Sequence, residues 1–172
     1  MDDLVQRLKR FSENDFPVSS VSEYLKDYRL SFDDKKKYCF FKDDRYTRNL
    51  VFRNDNFEVL LLCWRPGHTA PIHGHEGEKC WARIDYGQLK FRNYHLLSKK
   101  PLELKFKNKI IGGDGYLDGP ADVHSVENVF DMDAVSLHVY AKPYDSCEVY
   151  DLEKNITKRI KLNYYSMFGE IC

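Results

Sequence analysis

The feature that most constrains the fold is a long series of short runs rich in β-branched and aromatic residues. These runs begin after Arg45 and are separated by turn residues, and most of them are shorter than a typical helix. The clearest are FEVLLLCW, LKFRNYHLL, LELKFKNKII, HSVENVF, AVSLHVYA, CEVYDL and TKRIKLNYY. About eight short strands within roughly 120 residues is the spacing of an all-β sandwich or barrel.

The N-terminal segment shows helical rather than strand periodicity. Apolar residues recur at helical spacing at Leu4, Val5, Leu8 and Phe11. Ser20 and Glu23 have the spacing of a capping box, which predicts a second helix from Val21 to Arg29. Short helices are therefore expected to precede the strands.

The chain has the length of one domain. Its 172 residues, 42% of them hydrophobic, allow one substantial core and do not demand two. We expect a single domain over residues 1–172, with a helical N-terminal segment at 1–44 and a β-barrel at 45–172. Within the barrel, the turn-rich stretch from Ile111 to Pro120 is predicted to be a loop.

Charge and hydropathy exclude several kinds of partner. Lys plus Arg and Asp plus Glu both number 27, so no overall field attracts nucleic acid or anionic lipid. Charged residues interrupt the N-terminus, and no run of 18 apolar residues occurs. We expect a cytoplasmic monomer that binds neither nucleic acid nor a membrane.

The cysteines do not follow the pattern of a disulfide framework. They are five, an odd number, and widely spaced with no CxxC pair: Cys39, Cys63, Cys80, Cys147 and Cys172. This pattern also argues against a thiolate zinc site. Most are expected to be reduced, buried and apolar in character.

Three histidines form a candidate metal site. His73 and His75 lie one residue apart in a strand-like context, so both imidazoles can point to the same face. Alone, the pair fits equally well on a solvated surface, but His124 in a second strand-like segment could complete a site. Three imidazoles suit zinc, iron, copper or nickel and leave coordination positions open for catalysis. Glu76 and Glu78 are expected to be solvated charges in a turn.

A second set of polar residues alternates along one strand. Ser136, His138 and Tyr140 follow the pattern S-x-H-x-Y, which places all three side chains on the same strand face. If that face is interior, the three polar groups need hydrogen-bond partners.

These motifs together resemble a known family. The spacing of glycines, histidines and a cysteine from Gly67 to Gly87 resembles the first cupin motif, with Cys80 in the usual glutamate position. Five blocks resemble cysteine dioxygenase: YTRNLV (46 to 51), Cys63-Trp64, HGHEGEKC (73 to 80), HSVENV (124 to 129), and SLHVY followed by PYDSC (136 to 147). The resemblance implies a mainly β cupin fold, a double-stranded β-helix or jelly-roll barrel.

The resemblance also implies a reaction. Members of this family oxidise the thiol of free L-cysteine to cysteine sulfinate, using O₂ and ferrous iron, Fe(II). By resemblance, His73, His75 and His124 bind the iron, and three neutral ligands leave the metal charge to attract an anionic thiolate. Two alternatives are a dioxygenase for 3-mercaptopropionate or another small thiol, and a non-catalytic metal-binding cupin. The first is disfavoured because relatives acting on 3-mercaptopropionate typically carry glutamine and glycine at the positions of Arg48 and Cys80.

Two residues of the YTRNLV block are candidates for binding substrate. Arg48 matches the arginine that binds the substrate carboxylate in the family, and its planar fork suits bidentate pairing. Tyr46 could add a hydroxyl donor. The alternative for Arg48 is a surface salt bridge to Asp43 or Asp44.

Further roles follow from the resemblance alone. Cys80 matches a cysteine that forms a thioether with a tyrosine matching Tyr140 in eukaryotic-type members. Ser136 would orient His138, and His138 would hydrogen-bond Tyr140, which approaches substrate and oxygen as a catalytic group.

Four more residues carry weaker expectations. Trp64 is expected to pack near the site, although a core tryptophan fits equally well. Cys147 matches a cysteine near the mouth of the substrate pocket, with a buried thiol as the alternative. His68 and His95 match no motif and are expected to be surface or hydrogen-bonded histidines.

Overall fold

The computed structural model describes residues 1–120 and 122–172. Within them the chain forms three helices: α1 (Asp2–Ser12), α2 (Val18–Asp27) and α3 (Phe32–Tyr38). The first seven strands described are β1 (Thr47–Arg53), β2 (Glu58–Trp64), β3 (Thr69–Gly74), β4 (Cys80–Tyr86), β5 (Leu89–Lys99), β6 (Leu102–Gly112) and β7 (Leu117–Asp118). The remaining ones are β8 (Val123–Glu127), β9 (Ala134–Tyr140), β10 (Ser146–Asp151), β11 (Ile156–Lys161), β12 (Ser166–Met167) and β13 (Glu170–Ile171).

The strands form two sheets with crossed connections between them. One sheet has the order β13-β12-β1-β2-β9-β4-β7 and the other the order β11-β10-β3-β8-β5-β6. The neighbours pair antiparallel, apart from the parallel pair β1 and β12. The prediction of a mainly β protein with short N-terminal helices is confirmed.

The first sheet is a middle layer that is buried on both faces. In β2 one set of side chains packs toward the helices: Val59, Leu61 and Cys63. The other set faces the space between the sheets: Leu60, Leu62 and Trp64. A strand covered on both sides needs apolar residues at every position, which explains the unbroken run VLLLCW.

Strand β9 follows the same rule and thereby positions polar groups inside the barrel. Its outward residues belong to the core beneath the helices: Val135, Leu137 and Val139. Since side chains alternate along a strand, Ser136, His138 and Tyr140 point to the barrel interior.

The helices confirm one prediction and correct another. Helix α1 buries the apolar stripe that its periodicity predicts. The capping box is wrong, because α2 begins at Val18 after Pro17, and Ser20 and Glu23 lie within the helix. Proline is tolerated at this boundary because the first N–H groups of a helix have no intrahelical partner.

Helix α3 has no counterpart among the predicted elements. Its sequence, FDDKKKY, buries no residue, so it carries no apolar periodicity. The local signal is its cap, where the Asp34 N–H donates to Ser31 Oγ at 3.0 Å. Among the described residues, no helix is long and apolar enough to cross a membrane.

The predicted loop from Ile111 to Pro120 is partly wrong. Strand β6 continues to Gly112, and the two residues of β7 pair with β4, so that Asp118 lies opposite Ala82. A two-residue strand is too short to show periodicity, yet it fixes Asp118 beside the barrel interior.

A buried carboxylate fastens the helical layer to the barrel. Asp85 accepts from the Leu30 N–H and from Arg83 Nη1, both at 3.0 Å, and Lys35 lies 2.6 Å from its other oxygen. The described helices all precede residue 45 and the described strands all follow it. That residues 1–172 form one domain stays a prediction.

Candidate metal centre and substrate cavity

The three predicted histidines come together between strands β3 and β8. His73 lies opposite His124 in the ladder, and His75 follows directly after the end of β3. Their ligand atoms lie within 4.8 Å of one another, so small side-chain rotations would bring them onto one ion. His75 and His124 are buried and His73 is half-buried.

Each imidazole is held by an oxygen atom at its Nδ1. The acceptors are the Pro71 carbonyl at 2.8 Å from His73, the Asp122 carbonyl at 2.9 Å from His75, and Asp118 Oδ2 at 3.0 Å from His124. A neutral imidazole that donates through Nδ1 carries its lone pair on Nε2, which is then the metal-ligating atom. The donor set therefore fits a divalent transition metal.

Desolvation keeps His73 neutral. Desolvation, with His124 nearby, lowers the pKa of His73 from 6.5 to about 3. A neutral imidazole needs no deprotonation before it binds a metal at neutral pH.

Carboxylates lie around the cluster but not in it. The group of potential ligands found in the described part of the chain contains three histidines and no acid. Glu76 and Glu78 form ion pairs at the surface with Arg159 and Lys142, in agreement with turn charges. Asp118, which the sequence did not single out, contacts the metal-site histidine His124 instead.

The row on β9 forms a continuous hydrogen-bond chain. Trp64 Nε1 donates to Ser136 Oγ at 2.9 Å, Ser136 Oγ lies 2.9 Å from His138 Nε2, and His138 Nδ1 lies 3.3 Å from the Tyr140 oxygen. Burial lowers the pKa of His138 well below its usual value, so the ring carries one proton. The indole donates to one lone pair of Ser136 Oγ and leaves the serine proton available to His138 Nε2; we assign this tautomer, in which His138 Nδ1–H donates to the Tyr140 oxygen.

Cys80 and Tyr140 are cross-strand neighbours. They are paired residues of β4 and β9, and both belong to the core between the sheets. Burial raises the pKa of the thiol and, together with Cys80, raises the pKa of the Tyr140 phenol well above 10. Both groups therefore stay protonated at neutral pH in the folded chain.

Arg48 lies inside the barrel with a guanidinium that is only partly satisfied. It is 7% exposed, and its Nη2 contacts Glu58 Oε1 at 3.4 Å and the Tyr144 carbonyl at 3.3 Å. Its Nε is buried without a hydrogen-bond partner. A buried donor without a partner is uncommon and points to a ligand that is still to be bound.

The surface alternative for Arg48 is wrong. Asp43 lies 3.0 Å from Arg65, and Asp44 lies 3.1 Å from Lys42. Both acids are at the exterior, whereas Arg48 points inward from β1.

Most of the predicted residues line one cavity, whereas His75, Cys80 and Ser136 lie outside its lining. The cavity holds about 440 Å³ of space that no protein atom fills, counting the part open to solvent at its mouth. Its lining includes Tyr46, Arg48, Trp64, His73, His124, His138, Tyr140 and Cys147. A few convergent polar groups on an apolar wall are typical of a small-molecule site.

The weaker candidates also have definite places. Tyr46 stacks on Trp64, with ring centres 4.4 Å apart and planes 18° apart, and burial raises the pKa of its hydroxyl. Cys147 is a buried thiol that lines the cavity, which fits both of its expectations. His68 accepts from the Arg65 N–H at 2.9 Å and is a hydrogen-bonded histidine, whereas His95 is exposed.

Two further residues of the cavity region were not predicted. Tyr144 stacks on Tyr140, with ring centres 5.0 Å apart and planes 10° apart, and its hydroxyl donates to the Gly74 carbonyl. Glu58 is fully buried against Arg48. The only sequence signal for Glu58 is an isolated acid at the head of the apolar run of β2.

Comparison with known proteins agrees with this geometry. The family described as cysteine dioxygenase type I matches residues 1–153. Cysteine dioxygenase type 1 of Danio rerio is 30% identical over 177 residues, covering 99% of this chain and 88% of the relative. The protein of that name from Homo sapiens is 30% identical over 173 residues, covering 97% and 86%.

Solved structures show the same fold. A conserved protein from Klebsiella pneumoniae with a double-stranded β-helix domain has a TM-score of 0.52 at 15% identity, covering 67% of this chain and 86% of its own. A likeness at this identity concerns the fold alone, and it confirms the predicted cupin barrel. Because the family match spans most of a chain whose barrel gathers three histidines into one cluster, the chain belongs to the cysteine dioxygenase type I family and is a dioxygenase.

Proposed function

We propose that the protein oxidises free L-cysteine with O₂ to L-cysteine sulfinic acid at mononuclear Fe(II) held by His73, His75 and His124. One observation carries the proposal. Two members of the three-histidine cluster, His73 and His124, line the same small cavity as a buried guanidinium with an unpartnered Nε. A ligand with a metal-binding thiol at one end and a carboxylate at the other matches both ends of that cavity.

The metal would supply the redox chemistry. Ferrous iron at these imidazoles brings O₂ and a thiolate into reaction, which neither would enter readily alone. The protein contributes three neutral nitrogen donors, each oriented by an oxygen at Nδ1. Since no acid belongs to the set, the substrate thiolate provides the negative charge.

Arg48 would orient the substrate. Its Nε edge offers hydrogen bonds to a carboxylate, and the Tyr46 hydroxyl lines the same wall. Apolar side chains close the remaining wall and keep the reacting groups out of bulk water: Leu62, Ala70 and Val126.

The chain from Trp64 to Tyr140 would hold a proton at the substrate. His138 Nδ1–H donates to the Tyr140 oxygen, so the tyrosine hydroxyl proton is free to point into the cavity. Because burial raises the pKa of this phenol, it remains a donor at neutral pH. We assign Tyr140 the catalytic role of donating to the substrate or to oxygen, and Ser136 and His138 the role of positioning it.

We also propose a thioether between Cys80 and Tyr140. Its formation breaks the thiol S–H bond and one ring C–H bond and makes one C–S bond; O₂ takes up the two protons and two electrons and leaves as hydrogen peroxide. The two side chains are buried neighbours on adjacent strands of one sheet. Intact mass after aerobic turnover should fall by two hydrogen atoms, also in Cys147→Ala but not in Cys80→Ala; an unchanged mass in all three proteins rejects the crosslink.

Product analysis tests the main proposal. Iron-loaded protein with L-cysteine and ¹⁸O₂ should give cysteine sulfinate with both oxygens labelled. If the protein left cysteine unoxidised but oxidised 3-mercaptopropionate, the substrate would be 3-mercaptopropionate and not cysteine. The alternative that the protein is a non-catalytic metal-binding cupin is excluded, because the chain belongs to an enzyme family.

A further inference from the structure

Glu58 is a fully buried carboxylate whose two oxygens are both occupied. Oε1 accepts from Arg48 Nη2 at 3.4 Å and from the Tyr144 N–H at 3.1 Å. Oε2 accepts from the Tyr164 hydroxyl at 2.5 Å and from Arg53 Nη1 at 3.4 Å. A carboxylate without exposure needs such partners, because an uncompensated buried charge is strongly unfavourable.

The charges around Glu58 alternate. Arg53 is held from its far side by Asp145, at 2.6 and 2.7 Å in a bidentate pair. Glu58 therefore contacts two arginines, and its shortest hydrogen bond is the one that it accepts from the Tyr164 hydroxyl. Its contact with Arg48 anchors Nη2, and Arg53 takes up part of the Glu58 charge.

The anchor acts on a single nitrogen of the guanidinium. Glu58 and the Tyr144 carbonyl both contact Nη2, while Nε has no partner. Because the guanidinium is planar and rigid, two contacts to Nη2 restrict the direction of the Nε–H as well. The same carboxylate also holds the backbone of Tyr144, whose ring stacks on Tyr140.

We propose that Glu58 is the positioning residue of the carboxylate subsite: it fixes Nη2 of Arg48 so that the unpartnered Nε–H meets the substrate carboxylate. Tyr164 and Arg53 hold Glu58 in turn. This inference rests on the proposed function, because it requires that Arg48 bind a carboxylate. It predicts that Glu58 contributes to the binding of thiols that have a carboxylate and not to the binding of thiols that lack one.

The test compares two thiols that differ in this group alone. Anaerobic iron-loaded protein is titrated with L-cysteine and with cysteamine, and the ratio of the cysteamine Kd to the cysteine Kd measures the carboxylate contribution. In Glu58→Gln this ratio should fall by about tenfold, as expected for the loss of a charge-assisted contact, with the cysteamine Kd nearly unchanged. A role in folding alone would move both Kd values together or neither.

Two more variants complete the experiment. Tyr164→Phe removes a single donor to Glu58 and should lower the ratio in the same direction by a smaller factor, which keeps the test decisive if Glu58→Gln fails to fold. Glu148→Gln is the matched control, because Glu148 also accepts from a tyrosine hydroxyl but is held by Tyr150 and Lys99. An unchanged or increased ratio in folded Glu58→Gln or Tyr164→Phe overturns the inference alone. A wild-type protein that binds both thiols equally overturns the carboxylate subsite as well.

Discussion

Arg48 carries its charge inside the protein, where its attraction for an anion is little screened. Replacement by glutamine removes that charge and the fork that can pair with a carboxylate. We expect Arg48→Gln to raise the KM for L-cysteine at least about tenfold, since losing one partner of a buried charge pair commonly costs several kcal/mol. Arg92→Gln, on the exterior of β5, is the control. Unchanged cysteine kinetics in Arg48→Gln would remove this residue from the substrate site.

Asp118 makes one ligand of the metal site different from the other two. His73 and His75 donate to neutral carbonyls, whereas His124 donates to a carboxylate. A charged acceptor raises the basicity of the ligating nitrogen.

Asp118→Asn keeps an acceptor but removes the charge. We expect it to weaken metal binding by about tenfold, the lower end of the usual range for such partners. Competition with a chelator measures the metal Kd directly, without turnover. Asp114→Asn, an exposed acid in the same connection, should bind metal as the wild-type protein does; equal affinity in both variants would show that the Asp118 charge is irrelevant.

The site residues that the sequence could not indicate depend on long-range pairing. His73, His75 and His124 could be found because two of them are close in the chain and strand alternation fixes their direction. Glu58 is 86 residues from Tyr144 and 106 from Tyr164, so its partners are set by the barrel and not by spacing. Asp118 became a partner of His124 through β7, which is too short to recognise in the sequence.

At the level of elements, two cores share the strands of the middle sheet. One core lies between the sheets and one beneath the helices. Strands β2 and β9 could be predicted because their apolar runs are long and bounded by turns. Helix α3 could not, because it covers the barrel with charged residues, and its capping serine is a weak signal by itself.

Two phenylalanine substitutions compare a position in the core beneath the helices with an exposed position in α3. Phe57 is 0% exposed and packs against Phe16 with ring centres 5.7 Å apart, whereas Phe32 in α3 is 79% exposed. Phe57→Ala should lower the free energy of unfolding by about 3–5 kcal/mol, because it leaves a cavity in the core beneath the helices. Phe32→Ala should change it by less than about 0.5 kcal/mol. Urea unfolding measures both, and similar values for the two variants would contradict this assignment of the core.

For the whole molecule, the two tryptophans report on the two cores. Trp64 lies between the sheets, and Trp81 lies beneath the helices, where its Nε1 donates to Ser22 Oγ at 3.0 Å. If residues 1–172 are one domain, tryptophan fluorescence and far-ultraviolet circular dichroism should give the same urea midpoint. If the circular dichroism of the helices were lost at a lower urea concentration than the tryptophan signal, the helical segment up to about residue 44 would be a separate folding unit.

The buried imidazoles make the stability of the metal-free protein depend on pH. Burial lowers the pKa of His73 from 6.5 to about 3 and lowers that of His138 well below 6.5. As the pH falls below about 6.5, the unfolded chain binds protons at these positions and the folded chain does not, so the free energy of unfolding decreases with acidification. We expect the urea midpoint to fall between about pH 7 and about pH 5, and to fall less steeply in His138→Gln, which has one such imidazole fewer. If the urea midpoint of that variant fell as steeply or more steeply, His138 would take up a proton in the folded protein. The hydrogen-bond chain from Trp64 to Tyr140, which requires a neutral His138, would then be wrong.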